Sequence, residues 1–193
     1  SYAVVGHRGD WREGKLDSAA TTDLVAGFRQ GSAKEMAQKA VDLLNSGIAA
    51  QSVWDAIHAA AGEILMSRVN IQSLHSQTTM NALHYCYDYT SDDETRRFLL
   101  LQAAAFIPLF RGRIDKFVKL DEVEPKAGAS VEEVFADLPK DKMSASAKVL
   151  GYLKEKGDPR PILDAARVLI FMKGRDAHDY KFAASALEDF THA

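Results

Sequence analysis

Hydrophobic residues recur every three or four positions along most of the chain, which is the period of an amphipathic α-helix. From Ser18 onward these stripes are separated by short polar or glycine-containing breaks. The pattern predicts helices over approximately residues 18–30, 32–45, 52–68, 71–89, 92–110, 130–138, 144–156, 159–173 and 177–192. The sequence has no alternating apolar and polar runs bounded by hairpin turns, so strands are not predicted. We therefore expect an all-α fold, a single domain of about eight to nine antiparallel helices joined by short loops.

The segment from Phe98 to Phe110 is apolar on nearly every side, and Gln102 is the only polar residue between its ends. A helix of this kind belongs in the core of a globular protein. We expect it to be the buried hydrophobic helix around which the others pack. Ser91 is the predicted N-cap, because acidic residues follow it in the first turn. Pro108 is predicted to kink or end this helix near residues 104–106.

Composition narrows the class of protein. The 193 residues are 47 % hydrophobic, and the net charge of −3 gives no basic surface for nucleic acid. No apolar run reaches the roughly 18 residues that cross a bilayer. Cys86 is the single cysteine, so no internal disulfide can form, which favours a reducing compartment.

These features predict an irregular entry segment over residues 1–17 and an all-α domain over residues 18–193. The domain could equally be the C-terminal part of a longer protein. A cytoplasmic location is the default expectation, and export of a longer precursor remains open.

Two helices carry polar residues at a spacing that suggests chemistry. On the first, His75 shares a face with Thr78 and Thr79, and Asn81 lies further along. His75 is then a candidate metal or substrate ligand, and Thr78 and Asn81 are candidates for orienting it. The alternative is a histidine near a capped helix start with no further role. His84 is half a turn out of phase with His75, so we predict a partly exposed histidine among tyrosines.

On the last helix His178 and Lys181 are neighbours at a spacing of three. They could line a pocket, with His178 as a ligand or base and Lys181 as a desolvated amine of lowered pKa. A polar stripe at this spacing is also typical of the solvated side of an amphipathic helix.

Glu63 is a candidate buried carboxylate on an apolar helix, and it requires a partner such as Arg96 or a histidine. His58, on the same helix, is predicted to be a packing residue. The sequence has no HExxH motif, no paired ExxH motif and no glycine-rich phosphate loop. Any metal site must therefore be assembled from separate helices.

The two polar clusters resemble a known family. HSQTTMNAL, which begins at His75, is similar to the H-x-x-T…A-L segment of the questin-oxidase-like proteins, and DAHDYKFAASAL, which begins at Asp176, is similar to their D-x-H-x-x-K segment. The direct match covers about a tenth of the chain. The remainder is similar to a group of bacterial proteins of unknown function.

The resemblance implies an all-helical oxygenase that acts on polycyclic aromatic compounds by Baeyer–Villiger-type or ring-opening chemistry. It implies a mononuclear iron site held by histidines and a carbamylated lysine, with zinc or manganese as alternatives. The matching residues are His75, His178 and Lys181, around which Thr78, Asn81 and Glu63 are further candidates.

Members of that family are longer, and their N-terminal portion supplies further histidines. In this chain His7, His58 and His84 are the candidates that remain. The missing ligands could accordingly come from a second chain.

The sequence leaves open whether the protein is an enzyme. A non-haem iron oxygenase with an aromatic small-molecule substrate is the first hypothesis. The second hypothesis is a non-catalytic helical subunit or scaffold of a larger complex, which would form an oligomer. The third is a metal-free small-molecule binder.

Overall fold

The regular structure of this protein is α-helical. The computed structural model describes residues 11–114 and 122–193. The helices in these ranges are α1 (Ser18–Phe28), α2 (Ala33–Asn45), α3 (Ala50–Ser67), α4 (Ile71–Tyr89), α5 (Asp93–Arg111), α6 (Val131–Asp137), α7 (Lys142–Lys156), α8 (Arg160–Lys173) and α9 (Ala177–His192). Among the same residues the strand-like structure is limited to an isolated bridge between Lys15 and Ile48. The prediction of an all-α fold is confirmed.

The described helices group into two compact units. The first contains α1 to α5, together with residues 184–193 at the end of the chain. The second contains α6, α7, α8 and residues 177–183 of α9. The end of α9 therefore packs with helices that precede it by a long stretch of sequence.

Side-chain caps explain where several helices begin. Ser32 accepts a hydrogen bond from the Glu35 backbone N–H, and the Glu35 carboxylate accepts one from the Ser32 backbone N–H. This reciprocal pair of hydrogen bonds is a capping box, which the Ser-x-x-Glu spacing favours. For α5 the predicted cap is wrong by one residue, because Asp92 rather than Ser91 accepts from the Thr95 backbone N–H.

The helix at the centre of the first unit is α3, which packs against α1, α4 and α5. Its small residues, Ala56, Ala60 and Ala61, are buried and let neighbouring helices approach closely. Ile57 and Ile64 are fully buried. The burial of each such side chain contributes about 1.5–3 kcal/mol.

The prediction that α5 is buried on all sides is wrong. Leu100, Ala104 and Ile107 are buried on one side of α5. Phe98 and Leu109 lie on the other side and are 57 % and 50 % exposed. The apolar sequence did not distinguish a helix that is fully enclosed from one that packs along a single face.

Pro108 does not end α5 where the sequence predicts. The helix continues to Arg111 with Pro108 inside it. Because Pro108 lies in the last turn, its missing N–H removes a hydrogen bond only at the end of the helix. The Gly112 backbone N–H then donates to the Pro108 carbonyl, 2.9 Å away.

The second unit is held partly by polar contacts. The Lys148 ammonium lies 2.7 Å from the Asp137 carboxylate, which also accepts from Ser144. Gly151 of α7 is buried, and a Cβ atom at this position would overlap the backbone carbonyl of Lys126. This close approach explains why a glycine stands inside a helix.

Some predictions fall outside the described residues. These are the predictions for most of the entry segment over residues 1–17, including His7. In the described part of the chain, no helix combines the length and the hydrophobicity needed to cross a lipid bilayer.

Candidate metal centre

Four polar side chains of α4 occupy one face of that helix. Gln77, Asn81, His84 and Asp88 are separated by four, three and four positions, a spacing that repeats every two helical turns. We call these four residues the polar face of α4. They contact the end of α9 within the first unit. The polar face therefore brings together side chains from the middle and from the end of the chain.

The most buried partner of the polar face is Asp189, which is only 4 % exposed. The side-chain amide of Gln77 donates a hydrogen bond to Asp189 Oδ2. The amide of Asn81 donates to Asp189 Oδ1, at 2.9 Å. His58 Nδ1 of α3 lies 3.5 Å from Asp189 Oδ2. Because a buried carboxylate without partners is costly, these amides are needed to keep it inside.

His84 lies beside this carboxylate in a cluster of aromatic rings. Its ring centroid is 4.5 Å from that of Trp54, 4.9 Å from that of His58 and 5.0 Å from that of His192. The residue is 5 % exposed. Burial, followed by the proximity of His58, lowers the pKa of His84 below its ordinary value of 6.5. The ring is consequently neutral at neutral pH, which is the form that binds metals.

Three potential metal ligands converge at the outer side of this cluster. His84, Asp88 and His192 each offer one ligand atom, and these atoms all lie within 4.8 Å of one another. His84 Nε2 and Asp88 Oδ1 are 3.9 Å apart. Ligand atoms around a single ion lie about 3.0–3.5 Å apart when the bonds are about 2.1 Å. Asp88 and His192 are exposed, so their side chains can rotate by the ångström that is needed.

The three ligands open into a surface cleft of about 130 Å³. Its lining also includes Asn81, Glu188 and the tyrosines at 85 and 89. The rings of Tyr85 and Tyr89 stack at 4.4 Å, and Tyr89 is 75 % exposed. The cleft thus combines three ion ligands with an aromatic wall that solvent and small molecules can reach.

The chemistry of these donors fits the iron that the family resemblance implies. Two imidazole nitrogens and one carboxylate oxygen form the ligand set of non-haem Fe(II) sites, and the same donors bind zinc and manganese. Three protein ligands leave further coordination positions free for a small molecule. Tyr87, which packs on His84, is not an anionic ligand because burial raises its pKa to about 12.

The residues predicted from the sequence occupy different positions. His75 is an exposed residue on α4 in the first unit. His178 and Lys181 are exposed residues in the part of α9 that belongs to the second unit. None of the three is a member of the converging group. The prediction of a site at His75, His178 and Lys181 is therefore neither supported nor contradicted by that group.

The predicted supporting residues have local roles. Thr78 Oγ1 donates to the backbone carbonyl of Leu74, at 3.2 Å, and Asn81 holds Asp189 as described. Glu63 is paired with two arginines, Arg29 at 2.9 Å and Arg111 at 3.0 Å. The predicted partner, Arg96, instead donates to the backbone carbonyls of Tyr87 and Thr90 at the end of α4.

The prediction for His84 is wrong. The sequence predicts a partly exposed histidine. The ring is instead buried on the side of α4 that faces α3, where Trp54, His58 and Tyr87 enclose it. One signal in the sequence could have identified two members of the converging group, because His84 and Asp88 are four residues apart on one helix.

Comparisons with models of known protein families, with curated proteins and with solved structures gave no match for this chain. The resemblance to questin-oxidase-like proteins therefore stays a prediction.

Proposed function

We propose that this protein binds a divalent transition-metal ion through His84, Asp88 and His192. The observation that carries the proposal is the convergence of their three ligand atoms within 4.8 Å at a solvent-accessible cleft. His84 supplies a neutral ring from a buried position, while Asp88 and His192 complete the set from the surface.

The class of chemistry follows from this ligand set. We propose an oxygenase-type reaction on a small aromatic molecule, with iron as the preferred ion. Iron with two imidazoles and one carboxylate supplies dioxygen activation when it is bound. The chain itself contributes Tyr85 and Tyr89 as a stacking surface for an aromatic ring, and Asn81 and Glu188 as hydrogen-bonding groups at the cleft.

The size of the cleft limits the substrate. Pockets that enclose a drug-sized ligand have volumes of about 300–1,000 Å³. The cleft of about 130 Å³ is smaller, so it fits one ring or one polar end of a larger molecule. A polycyclic substrate, as the family resemblance implies, has to extend beyond the cleft across the exposed tyrosines.

Metal analysis tests the proposal directly. The wild-type protein, expressed in medium supplemented with iron, zinc and manganese, should retain about one ion per chain in mass-spectrometric elemental analysis. The double variant H84A/H192A should retain far less, because two of the three ligands are removed. H75A is the matched control, since it removes an exposed histidine from the same helix. Wild-type protein without a bound ion, or full occupancy in H84A/H192A, would contradict the proposal.

A second candidate function is favoured by a different observation. On α8 of the second unit Val168, Phe171 and Met172 share one face, and Phe171 is 82 % exposed. Helix α8 has no buried residue. Exposed apolar faces of this kind are typical of protein–protein contacts. We propose the helical subunit of a larger complex as the alternative to a metal-dependent enzyme.

A further inference from the structure

The contacts of α9 with α4 follow a regular order along both helices. Asp189 meets Gln77 and Asn81, and one turn later His192 meets His84. The carboxylate of Glu188 accepts from Asn81 as well, at 2.8 Å. The last turn of α9 is thus matched with a definite part of α4, residues 77–84. The metal ligand His192 lies one turn beyond the buried carboxylate.

We propose that Asp189 is a positioning residue that fixes the register of α9 on α4 and thereby holds His192 at the metal centre. The inference rests on the proposed function, because it assigns His192 as a ligand. Asp189 is not a member of the converging group. It acts through the helix that carries both residues.

The burial of the Asp189 carboxylate makes this register energetically favoured. If α9 shifted by one turn, about 5.4 Å, Asp189 would move away from the amides of Gln77 and Asn81. A buried carboxylate without hydrogen-bond partners is strongly disfavoured, so alternative registers are excluded. Buried polar groups that select one register in this way are known from helix pairing. The polar face of α4 therefore both recognises α9 and aligns the ligand that follows.

His58 completes the enclosure of Asp189 from the third helix. Its side chain is 4 % exposed, and its Nδ1 faces Asp189 Oδ2 at 3.5 Å. Among the described residues neither ring nitrogen of His58 has a hydrogen-bond partner. Asp189 is thus contacted by α3 as well as α4, which limits rotation of α9 in addition to its translation.

Metal affinity in a double-mutant cycle tests the assignment. D189N should weaken the binding of Zn²⁺ by roughly tenfold or more, the range found for residues that orient metal ligands. In the H192A background the same substitution should have no further effect, because the ligand that it positions is already absent. The matched control is E63Q, which alters another largely buried carboxylate in the same unit and should leave the affinity unchanged. A loss that is the same in both backgrounds would overturn the inference.

An exchange of donor and acceptor provides a rescue. In Q77E/D189N the carboxylate lies on α4 and the amide on α9, so that the hydrogen bond runs in the opposite direction. This double variant should regain most of the Zn²⁺ affinity that D189N loses. Continued weak binding in a folded Q77E/D189N variant would contradict a role in register.

A metal-free measurement keeps the inference testable if the wild-type protein binds no ion. The side chains of Asp88 and His192 converge at their ends, so cysteines at these positions in a C86S background should be joined efficiently by a short bis-maleimide cross-linker. Adding D189N should slow this cross-link several-fold, and adding E63Q should not. An unchanged rate with D189N would overturn the inference. Absence of metal from the wild-type protein would instead contradict the proposed function alone.

Discussion

The imidazole rings of His84 and His192 meet edge to face, with their centroids 5.0 Å apart. One residue is buried on α4, and the other is exposed at the end of α9. Their meeting depends on the polar contacts of Asp189, because no apolar side chain of α9 is as deeply buried in the first unit. The candidate metal centre is therefore a product of tertiary packing rather than of a local motif.

Trp54 provides an optical test of this arrangement. Its ring lies 4.5 Å from that of His84, and the chain has one other tryptophan, Trp11. In W11F the remaining emission comes from Trp54 alone. Binding of Co²⁺ or Ni²⁺ at His84 should quench most of that emission, because the ion lies within a few ångströms of the indole. Titration of W11F with either ion measures the effect, and H84A in the same background should abolish it. Quenching that persists in W11F/H84A would locate the ion elsewhere.

The two candidate sites can be separated by comparing variants. The triple variant H75A/H178A/K181A removes every ligand predicted from the family resemblance. It should bind Zn²⁺ with wild-type affinity in calorimetry, whereas H84A/H192A should lose measurable binding. Circular dichroism of both variants checks that the helices are intact. The opposite outcome, with loss of binding only in the triple variant, would support the sequence-based site and contradict the cleft.

The sequence predicted the helices well because their signals are local. The caps at Ser32 and Asp17 and the apolar stripe that begins at Leu24 specify helices independently of the remaining chain. The extent to which α5 is enclosed could not be derived in this way. Whether Phe98 is enclosed depends on how the helices that pack against α5, chiefly α2 and α4, are placed, and no local signal specifies that placement. A hydrophobic pattern indicates that a side chain favours burial, but it does not indicate which helix will cover that side chain.

The candidate site was harder to predict for the same reason. His84 was placed on the correct helix, but its burial depends on Trp54 and Tyr87, which arrive from α3 and from the next turn of α4. Asp189 and His192 are close to each other in sequence and far from His84. Only the packing of residues 184–193 into the first unit connects them. A family motif directed attention to the start of α9, whereas the converging ligand lies at its end.

The lowered pKa of His84 predicts how the stability of the metal-free protein depends on pH. The ring is faced by His58 from α3, by Asp88 from α4, and by His192 and Asp189 from α9. Above pH 6.5 both folded and unfolded chains hold the ring neutral, and His84 contributes no pH dependence. As the pH falls below 6.5 the unfolded chain takes up the proton first, so the free energy of unfolding decreases until the lowered pKa is passed.

Urea denaturation at a series of pH values between 8 and about 5, with a chelator present, measures this effect. H84F removes the titrating group and should lose stability less steeply than the wild type below pH 6.5. H75Q, which alters an exposed histidine on the same helix, should follow the wild-type curve. Equal slopes for wild type and H84F would show that the burial of His84 is not the cause.

Glu63 predicts a large effect on stability that is independent of metal. Its carboxylate, which is 16 % exposed, is held by Arg29 of the turn after α1 and by Arg111 at the end of α5. E63A leaves the largely buried Arg111 without this partner, so we expect a loss of about 2–3 kcal/mol in urea denaturation. D23A removes the exposed partner of Lys39 and should cost less than about 1 kcal/mol. A similar small loss for E63A would mean that solvent replaces the carboxylate at both arginines.

The exposed face of α8 tests the alternative function. If Val168, Phe171 and Met172 form a contact with another chain, the purified protein should self-associate or bring a partner with it. Light scattering coupled to size-exclusion chromatography should then give a mass above the 21.2 kDa of one chain, increasing with concentration. F171S/M172S should return the mass to that of one chain, because truncating two exposed apolar side chains removes most of the area available for burial. R167S, which alters an exposed charge on the same helix, should leave the assembly intact.

A wild-type protein that remains a single chain at every concentration, and that purifies without a partner, would contradict the subunit hypothesis. The metal-dependent function would be unaffected.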